Sequence, residues 1–260
     1  MIKIGDSVAR KSYNLDIIFE VISISEDNIA VLFGKSVRLI ADAPIEDLVL
    51  ATEDEIRRVE EEEEKLIENM TSNEEDKKRY QFLTGKILHF DGDEKYMNKC
   101  LDLYKKLNIY AVGVSLKESQ FPSEIIKYIK FFHPDIIVIT GHDSYNKQEI
   151  KEIDNYRNSK FFIEATREIR KNFPVINQPI IIAGACQSHF EAIISAGANF
   201  ASSPSRVNIK SLDPAIIAIK CATTPINRFI KVQEAIEKTS NKNSGLGGIE
   251  SFGTMKTLFF

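Results

Sequence analysis

Residues 135–142 read DIIVITGH, and residues 179–186 read PIIIAGAC. Each stretch is an apolar run followed by a short turn and one reactive side chain, His142 in the first and Cys186 in the second. Unbroken apolar runs of this length are typical of strands buried on both faces of a parallel sheet. The two stretches therefore predict two buried strands of an α/β domain.

Strand and helix patterns alternate on both sides of these two stretches. We predict strands at residues 85–90, 110–114, 135–140, 179–183 and 198–202, and helices at residues 94–107, 122–132, 158–172 and 189–196. Residues 214–222 fit an apolar helix or strand, and the Ser/Asn/Gly-rich residues 240–253 read as a loop. The alternation predicts an α/β domain over residues 84–260, with a mainly parallel sheet and helices on both faces.

The first 80 residues follow a different pattern. Short apolar segments separated by turns are predicted to form strands at residues 2–4, 16–24, 29–33, 37–41 and 48–51. Several short strands this close together favour a small β-barrel of SH3 or Tudor type over residues 1–50. The highly charged residues 51–83 predict a helical linker, in which Thr52 and Glu55 form a capping box.

Composition excludes several functional classes. Hydrophobic residues make up 43% of the 260 residues, the net charge is -4, and no long basic stripe favours nucleic-acid binding. The three cysteines lack CxxC spacing, so neither a disulfide framework nor a zinc site is expected. We expect the protein to need no metal and no cofactor for its reaction. No signal peptide and no apolar run of about 20 residues is found, so we expect a cytoplasmic protein without a membrane partner.

His142 and Cys186 have the residue types of a thiol enzyme. Ligands bind at the carboxyl ends of the strands in a parallel sheet, so the two side chains emerge together if their strands are neighbours. A close imidazole can take the proton of a thiol, whose usual pKa is about 8.5, or stabilise the thiolate. Gly141 and Gly184 permit close backbone approach or an unusual φ. The N–H groups of Gly141 and Cys186 are the predicted oxyanion donors.

Other interpretations stay open on these residues alone. A cysteine after an apolar strand is often an inert buried thiol, and we expect this of Cys100 and Cys221. His189, three residues after Cys186, is a second candidate for the base. A non-catalytic flavodoxin-like or receiver-like binding module with an SH3-like recruitment domain is the main rival. A glutamine amidotransferase-like enzyme is disfavoured, since its usual Gly-x-Cys-x-Gly is Gly-Ala-Cys-Gln-Ser in this chain.

Four segments carry a resemblance to a known family: IGDSVARKSY (4–13), LHFDGDEKYMNKCLDLYKKLNIYAVG (88–113), PDIIVITGHDSYN (134–146) and IIAGACQSHFEAIISAGANFASSPSRVNI (181–209). An apolar block ending in His and another ending in Ala-Cys resemble the caspase-like (clan CD) cysteine peptidases, which include clostripain, gingipains, legumain and separase. Across its whole length the chain resembles the YabG family of sporulation-specific proteases of spore-forming Firmicutes.

The resemblance implies a caspase-like fold and a function. It implies a thiol protease that trims spore coat and cortex proteins and cleaves after Arg. It assigns the nucleophile to Cys186 and the base to His142. It also implies that the protease acts in the mother-cell cytoplasm and associates with the forming spore coat. The spore coat and cortex proteins would be its substrates.

The chain departs from typical clan CD members at two positions. Asp143 follows His142, where they usually have Gly, so the oxyanion donor from that position is expected at the preceding glycine instead. Clostripain-like relatives have an Asp two residues before the nucleophile, where this chain has Gly184. A carboxylate for the Arg side chain must therefore come from elsewhere, and the candidates are Asp91, Asp93 and Asp143. Asp93 could instead cap the helix predicted at residues 94–107.

Overall fold

A computed structural model describes residues 2–71 and 81–258 of the chain. Residues 72–80 of the predicted linker lie outside the described residues, as do residue 1 and residues 259–260. The chain divides into two units, residues 1–72 and residues 73–260. Among the described residues, no helix combines the length and the apolar character needed to cross a bilayer.

The N-terminal unit contains a five-stranded antiparallel sheet in the order β4-β3-β2-β1-β5. Its elements are β1 (Ser7–Arg10), β2 (Phe19–Ile24), β3 (Ile29–Gly34), β4 (Ile40–Pro44), β5 (Leu48–Leu50) and α1 (Glu53–Thr71). The apolar side chains of alternate strand positions, among them Val8, Phe19 and Leu32, form a core of their own. Thr52 and Glu55 form the predicted capping box at the start of α1.

The prediction of a strand at residues 2–4 is wrong. The chain turns at Ile4 and Gly5, and the first strand begins at Ser7. Gly5 has φ +91°, and its N–H donates to the carbonyl oxygen of Val21 at 2.8 Å. The apolar residues before this glycine therefore lead into the sheet without pairing as a strand of it.

The C-terminal unit alternates strands and helices as the sequence predicts. Its elements are β6 (Gln81–Leu83), β7 (Ile87–Asp91), α2 (Glu94–Lys106), β8 (Ala111–Ser115), α3 (Phe121–Phe132), β9 (Ile136–Thr140), α4 (Ser159–Asn172), β10 (Ile180–Ala183), α5 (Phe190–Ser195), β11 (Phe200–Ser202), α6 (Asp213–Thr223), β12 (Phe229–Ile230), α7 (Val232–Ile236), α8 (Lys242–Gly245), β13 (Leu246–Gly248), β14 (Ser251–Phe252) and β15 (Lys256–Leu258). The segment at residues 214–222, open between helix and strand, is helical.

A six-stranded sheet in the order β13-β11-β10-β9-β7-β8 organises this unit. Five adjacent strands of this sheet are parallel: β8, β7, β9, β10 and β11. Strand β13 pairs antiparallel with β11. The chain passes from β7 to β8 on one side and then returns to place β9 on the other side of β7. The strand order reverses between β7 and β9, and ligands bind at such switch points, beyond the carboxyl ends of the strands.

Helices pack on the sheet in two groups. Helices α3, α4 and α5 contact one another in series, and their apolar side chains share a core with strands β7, β9 and β10. Helix α2 contacts α6, and both contact strands of the sheet. The strand residues of β7, β9 and β10 are buried at every position, as expected for strands covered on both faces.

The prediction of a loop over residues 240–253 is wrong, because this segment contains α8, β13 and β14. Leu246 is fully buried in β13. A Cβ at Gly248 would lie 2.3 Å from the carbonyl oxygen of Asn199, so the glycine is required by the close pairing of β13 with β11. Here glycine marks a close approach of two backbones and not a flexible tail.

Candidate active site

His142 and Cys186 leave the sheet at matching positions of two neighbouring strands. Strands β9 and β10 pair in parallel, with Ile139 opposite Ala183 at the end of the ladder. His142 is three residues beyond Ile139, and Cys186 is three residues beyond Ala183. The two residues therefore emerge at the same sheet edge, as the sequence predicts for neighbouring strands.

The loops that carry these residues are hydrogen-bonded to each other. We call residues 141–146 the base loop and residues 184–189 the nucleophile loop. The Ser188 hydroxyl donates to Oδ2 of Asp143 at 2.9 Å, and the N–H of Tyr145 donates to Oε1 of Gln187 at 3.1 Å. Each bond joins a residue within three positions of His142 to a residue within two positions of Cys186, so the loops are in direct contact.

Asp143 is the centre of this connection. Its Oδ1 accepts the N–H of Ser144 at 2.9 Å and that of Asn158 at 2.7 Å. Its Oδ2 accepts hydrogen bonds from the hydroxyls of Ser159 and Ser188. Burial raises the pKa of the Asp143 carboxyl, while the four hydrogen bonds act in the opposite direction. The carboxylate is 6% exposed and holds the base loop in place.

His142 is held at its ring and at its backbone. Nε2 lies 3.0 Å from Oδ2 of Asp93, and the ring lies beside that of Tyr96, with centroids 5.7 Å apart. The His142 N–H donates to Oε1 of Glu118 at 2.8 Å, and its carbonyl accepts from Nδ2 of Asn158 at 2.8 Å. Nδ1 has no hydrogen-bond partner among the described residues. The ring is 18% exposed, so this nitrogen is the one available for proton transfer.

Cys186 is enclosed, in contrast, with 1% of its surface exposed. The N–H of Ile209 donates to its Sγ at 3.3 Å. We call residues 207–209 the covering segment. Gln187 Nε2 donates to Oδ1 of Asn208 at 3.1 Å, which ties this segment to the nucleophile loop. The thiol in turn donates to the carbonyl oxygen of Ile209 at 3.8 Å, so both backbone polar groups of Ile209 face the sulfur.

Both glycines singled out in the sequence have the expected geometry. Gly184 has φ +106°, and a Cβ there would lie 3.2 Å from Cδ1 of Ile193 and 3.3 Å from Cβ of Ser202. A Cβ at Gly141 would lie 2.5 Å from Oε1 of Glu118. The first glycine supplies an unusual backbone angle and the second a close approach.

The other two candidate acids for an Arg side chain, Asp91 and Asp93, have internal partners as Asp143 does. Asp91 is fully buried; its Oδ1 accepts the N–H of Asp93 at 3.0 Å, and its Oδ2 lies 3.6 Å from Nε2 of His89. The other nitrogen of His89 lies 3.0 Å from the hydroxyl of Tyr104. Asp93 caps α2, with Oδ1 accepting the N–H of Lys95 at 2.9 Å. The capping interpretation of Asp93 is confirmed.

The remaining candidates, His189, Cys100 and Cys221, are hydrogen-bonded or buried within the protein. His189 Nδ1 accepts the N–H of Ala192 at 3.4 Å, and Nε2 lies 3.2 Å from the carbonyl oxygen of Lys151, so both ring nitrogens are engaged. Cys100 and Cys221 are fully buried, and burial raises the pKa of the Cys221 thiol to about 12. All three cysteines lie in the described part of the chain, and none forms a disulfide bond.

Sequence reasoning missed Glu118 and the covering segment. Glu118 begins a short 3-10 helix, and Asn208 lies between β11 and α6; neither stands next to a strand that carries a reactive residue. The sequence signal for Glu118 is indirect and consists of the glycines at positions 92 and 141. A Cβ at these positions would lie 2.2 Å and 2.5 Å from Oε1 of Glu118. The two glycines thus mark the place of a carboxylate that is distant in sequence.

A cavity of about 700 Å³ lies at the opposite, amino-terminal edge of the sheet. Its lining includes Asp135 and Pro179, which precede β9 and β10, and it contains no cysteine. Within residues 2–71 and 81–258, no group of three or more His, Cys, Asp or Glu side chains is arranged to hold a metal ion. The carboxyl edge, with its thiol and imidazole, is therefore the better candidate for a catalytic site.

Comparison with known proteins identifies a peptidase family. The family described as YabG peptidase U57 matches residues 3–259. The chain is also similar to the sporulation-specific protease YabG of Bacillus subtilis (strain 168). The two sequences are 42% identical over an alignment of 279 positions, which covers 98% of this chain and 96% of that protein. Similarity over nearly the whole length supports a peptidase and not a non-catalytic binding module. The chain belongs to the YabG peptidase U57 family.

Proposed function

We propose that this peptidase is a caspase-like cysteine endopeptidase in which Cys186 is the nucleophile and His142 the base. The observation that carries the proposal is the matched exit of these residues from the paired ends of β9 and β10. The Asp143–Ser188 hydrogen bond supports it, because it holds the two loops together. The engaged ring of His189 supports His142 as the base over its rival.

The reaction follows from these roles. The Cys186 thiol transfers its proton to Nδ1 of His142, and the thiolate attacks the carbonyl carbon of the scissile peptide bond. The imidazolium then donates that proton to the leaving amine as the C–N bond breaks, leaving a thioester on Cys186. His142 next removes a proton from water, and the hydroxide attacks the thioester. Collapse of this intermediate releases the acid product and returns the proton to the thiol.

Substrate access requires a local opening, since Cys186 is enclosed. The covering segment lies against the sulfur through the Ile209 N–H. Either this segment moves or the Cys186 side chain turns before the thiolate can reach a peptide carbonyl. The covered state protects the thiol, and the hydrogen bonds of Asn208 and Gln187 set how easily it opens.

The two proposed oxyanion donors are not equivalent. The Glu118 carboxylate lies against Gly141, and negative charge there opposes the build-up of a second negative charge. Cys186 provides its own N–H at the start of the turn that leads to α5. We therefore favour the Cys186 N–H as the main donor, with Gly141 second.

We further propose cleavage after Arg, as the family resemblance implies, and add Glu118 to the candidate acids. The carboxylates of Asp91, Asp93 and Asp143 each already accept hydrogen bonds from the protein. Glu118 is partly exposed, its Oε1 accepts the His142 N–H, and its Oε2 has no hydrogen bond within the described residues. An open carboxylate oxygen beside the base suits a guanidinium group.

Glu118→Gln tests this assignment, with Asp91→Asn, Asp93→Asn and Asp143→Asn as companions. Gln keeps an oxygen for the His142 N–H, so the base loop is retained. We expect kcat/KM for an Arg peptide to fall about 30-fold relative to an Ala peptide, from ~2 kcal/mol of lost charge-assisted bonding. An unchanged Arg-to-Ala ratio in Glu118→Gln, with the ratio lost in an Asp variant, would move the role to that residue.

The biological role proposed for the chain follows its relative. We propose that it processes spore coat or cortex proteins in the mother cell during sporulation, and that the N-terminal unit, as an SH3-like barrel over residues 1–50, docks these substrates. Purified wild type and Cys186→Ala are incubated with spore proteins, and the new N-termini are identified. Cleavage after Arg by wild type alone is expected; equal cleavage by Cys186→Ala would refute Cys186 as the nucleophile.

A further inference from the structure

The contact between His142 and Asp93 joins the two strands at which the strand order reverses. Asp93 follows β7 and His142 follows β9, and β7 and β9 are paired in parallel. The Nε2–Oδ2 distance of 3.0 Å is that of a charge-assisted hydrogen bond. An acceptor at Nε2 selects the tautomer that carries its hydrogen there and leaves Nδ1 as the basic nitrogen.

The Asp93 side chain is itself fixed in place. Its Oδ1 accepts the N–H groups of Lys95 and Tyr96, at 2.9 Å and 3.4 Å, as the cap of α2. Its own N–H donates to Oδ1 of the buried Asp91. The carboxyl group therefore uses one oxygen for the helix and the other for His142. A carboxylate held on both sides gives the ring a defined orientation.

The surroundings of the pair are partly closed. The side chain of Asp93 is 14% exposed and that of His142 is 18% exposed, so solvent screens their attraction only in part. The ring of Tyr96, which is fully buried, lies beside the imidazole. A hydrogen bond between a carboxylate and an imidazole is less screened in this setting than on an open surface.

We propose that Asp93 is a positioning residue of the peptidase: it orients His142 through Nε2 and stabilises the ring when Nδ1 holds the proton from Cys186. The inference rests on the proposed function. The proton taken from the thiol stays on Nδ1, the Nε2 hydrogen stays on His142, and Asp93 remains ionised throughout. The site is then a Cys186–His142–Asp93 triad in which the carboxylate acts only through the imidazole.

Asp93→Asn separates the two roles of this side chain. Asn caps a helix as well as Asp does, so α2 keeps its cap while the charge facing His142 is lost. Asp93→Ser also supplies a capping oxygen, but its shorter side chain does not reach the ring. Asp102→Asn is the matched control, because Asp102 is exposed on the same helix. Thermal unfolding checks that all three variants retain the stability of wild type.

We expect kcat to fall roughly 10²-fold in Asp93→Asn and Asp93→Ser with KM nearly unchanged, less than the ~10⁴-fold loss in a serine triad because a thiol ionises more readily than a hydroxyl. The pH dependence of Cys186 alkylation by iodoacetamide gives a second readout. Its rate curve should move to higher pH in both Asp93 variants, because less thiolate forms without the carboxylate. Asp102→Asn should match wild type in both assays.

Each other outcome has a defined meaning. Wild-type kcat and an unmoved alkylation curve in Asp93→Asn, with Cys186→Ala inactive, would overturn the role of Asp93 and leave the proposed function standing. Full activity of Cys186→Ala would instead overturn the proposed function. A rise in KM at constant kcat would show that Asp93 binds substrate and does not position His142.

Discussion

The base loop and the nucleophile loop are neighbours of similar length, yet they are held in opposite ways. Carboxylates hold the base loop: Asp93 binds the ring of His142, Glu118 binds its N–H, and Asp143 accepts four hydrogen bonds. The thiol of the nucleophile loop is instead covered by a backbone segment whose Ile209 N–H faces the sulfur. His142 is thus oriented and accessible, whereas Cys186 is enclosed.

Under the proposed mechanism, this difference separates two determinants of activity. The carboxylates around His142 would control proton transfer, and the hydrogen bonds of the covering segment would control access to the Cys186 thiol. Substitutions in the base loop should therefore change the chemical step, and substitutions in the covering segment should change access to Cys186.

The largest expected effect comes from replacing His142 with alanine, with the same replacement at His189 as the comparison. His142→Ala should lower kcat/KM by about 10³-fold or more, since a general acid and base is lost. His189→Ala removes a ring that contacts α5 and Lys151 and should retain most activity per folded molecule. Peptide hydrolysis with purified variants measures both. Near-full activity of His142→Ala would move the base role to His189.

Removing the carboxylate that joins the loops should give the next largest effect. Asp143→Ala leaves four buried or partly buried donors without their acceptor, which should lower the free energy of unfolding by at least about 3 kcal/mol. Chemical denaturation measures it. Asp143→Asn keeps the shape and one acceptor oxygen, so it should be less damaging. Equal stability of Asp143→Ala and wild type would contradict the bridging role.

Asp143 should also make the stability of the protein depend on pH. Burial raises the folded-state pKa of Asp143 above its usual 3.8, so the folded protein binds this proton more tightly than the unfolded chain does. Its contribution to stability is greatest below that usual value and is lost as the pH rises through the raised pKa. The stability of wild type minus that of Asp143→Asn should therefore decrease with pH across this window. An increase would mean that the four hydrogen bonds outweigh burial.

Loosening the cover of the thiol should have a moderate effect. Asn208→Ala loses the bond from Gln187 Nε2 at 3.1 Å and leaves the covering segment held by fewer side chains. At ~1 kcal/mol for this bond, iodoacetamide should label Cys186 about fivefold faster. Asn243→Ala, at an exposed position on α8, is the matched control. Equal rates for both variants would show that this bond does not control access.

The smallest effect is expected at the other buried cysteines. Burial raises the pKa of Cys221 to about 12, so almost no thiolate is present at pH 8. Native Cys186→Ala should therefore take up no iodoacetamide at this pH, and unfolded Cys186→Ala should be labelled at both Cys100 and Cys221. Mass spectrometry after labelling distinguishes the sites. Rapid native labelling of Cys221 would mean that enclosure alone does not silence a thiol in this protein.

The parts of the site that follow from local sequence were predictable. Apolar runs identified β9 and β10, and the residues after them identified the matched positions of His142 and Cys186. Glycines next to those residues indicated the special backbone at Gly184 and the close contact at Gly141. Asp93 fitted a helix cap because it directly precedes an amphipathic helix.

The parts that depend on distant segments were not predictable from these patterns. The Asp93–His142 bond spans 49 positions of sequence, and the bond of Ile209 to Cys186 spans 23. No local periodicity reports such pairs. The strand β13 was missed for a related reason, since Gly248 packs against Asn199 of a neighbouring segment and carries no apolar side chain to signal burial.

Gly184 limits how the specificity of this peptidase can be redesigned. Its backbone angle of φ +106° strains any residue with a side chain, and a Cβ there would lie 3.2 Å from Ile193 and 3.3 Å from Ser202, tighter than most contacts. Transplanting an acidic residue from a clostripain-like enzyme to this position would therefore distort the turn that presents Cys186. Libraries that aim to change the preferred residue before the scissile bond should keep Gly184 invariant and diversify Glu118, where a side chain already points toward the edge of the sheet.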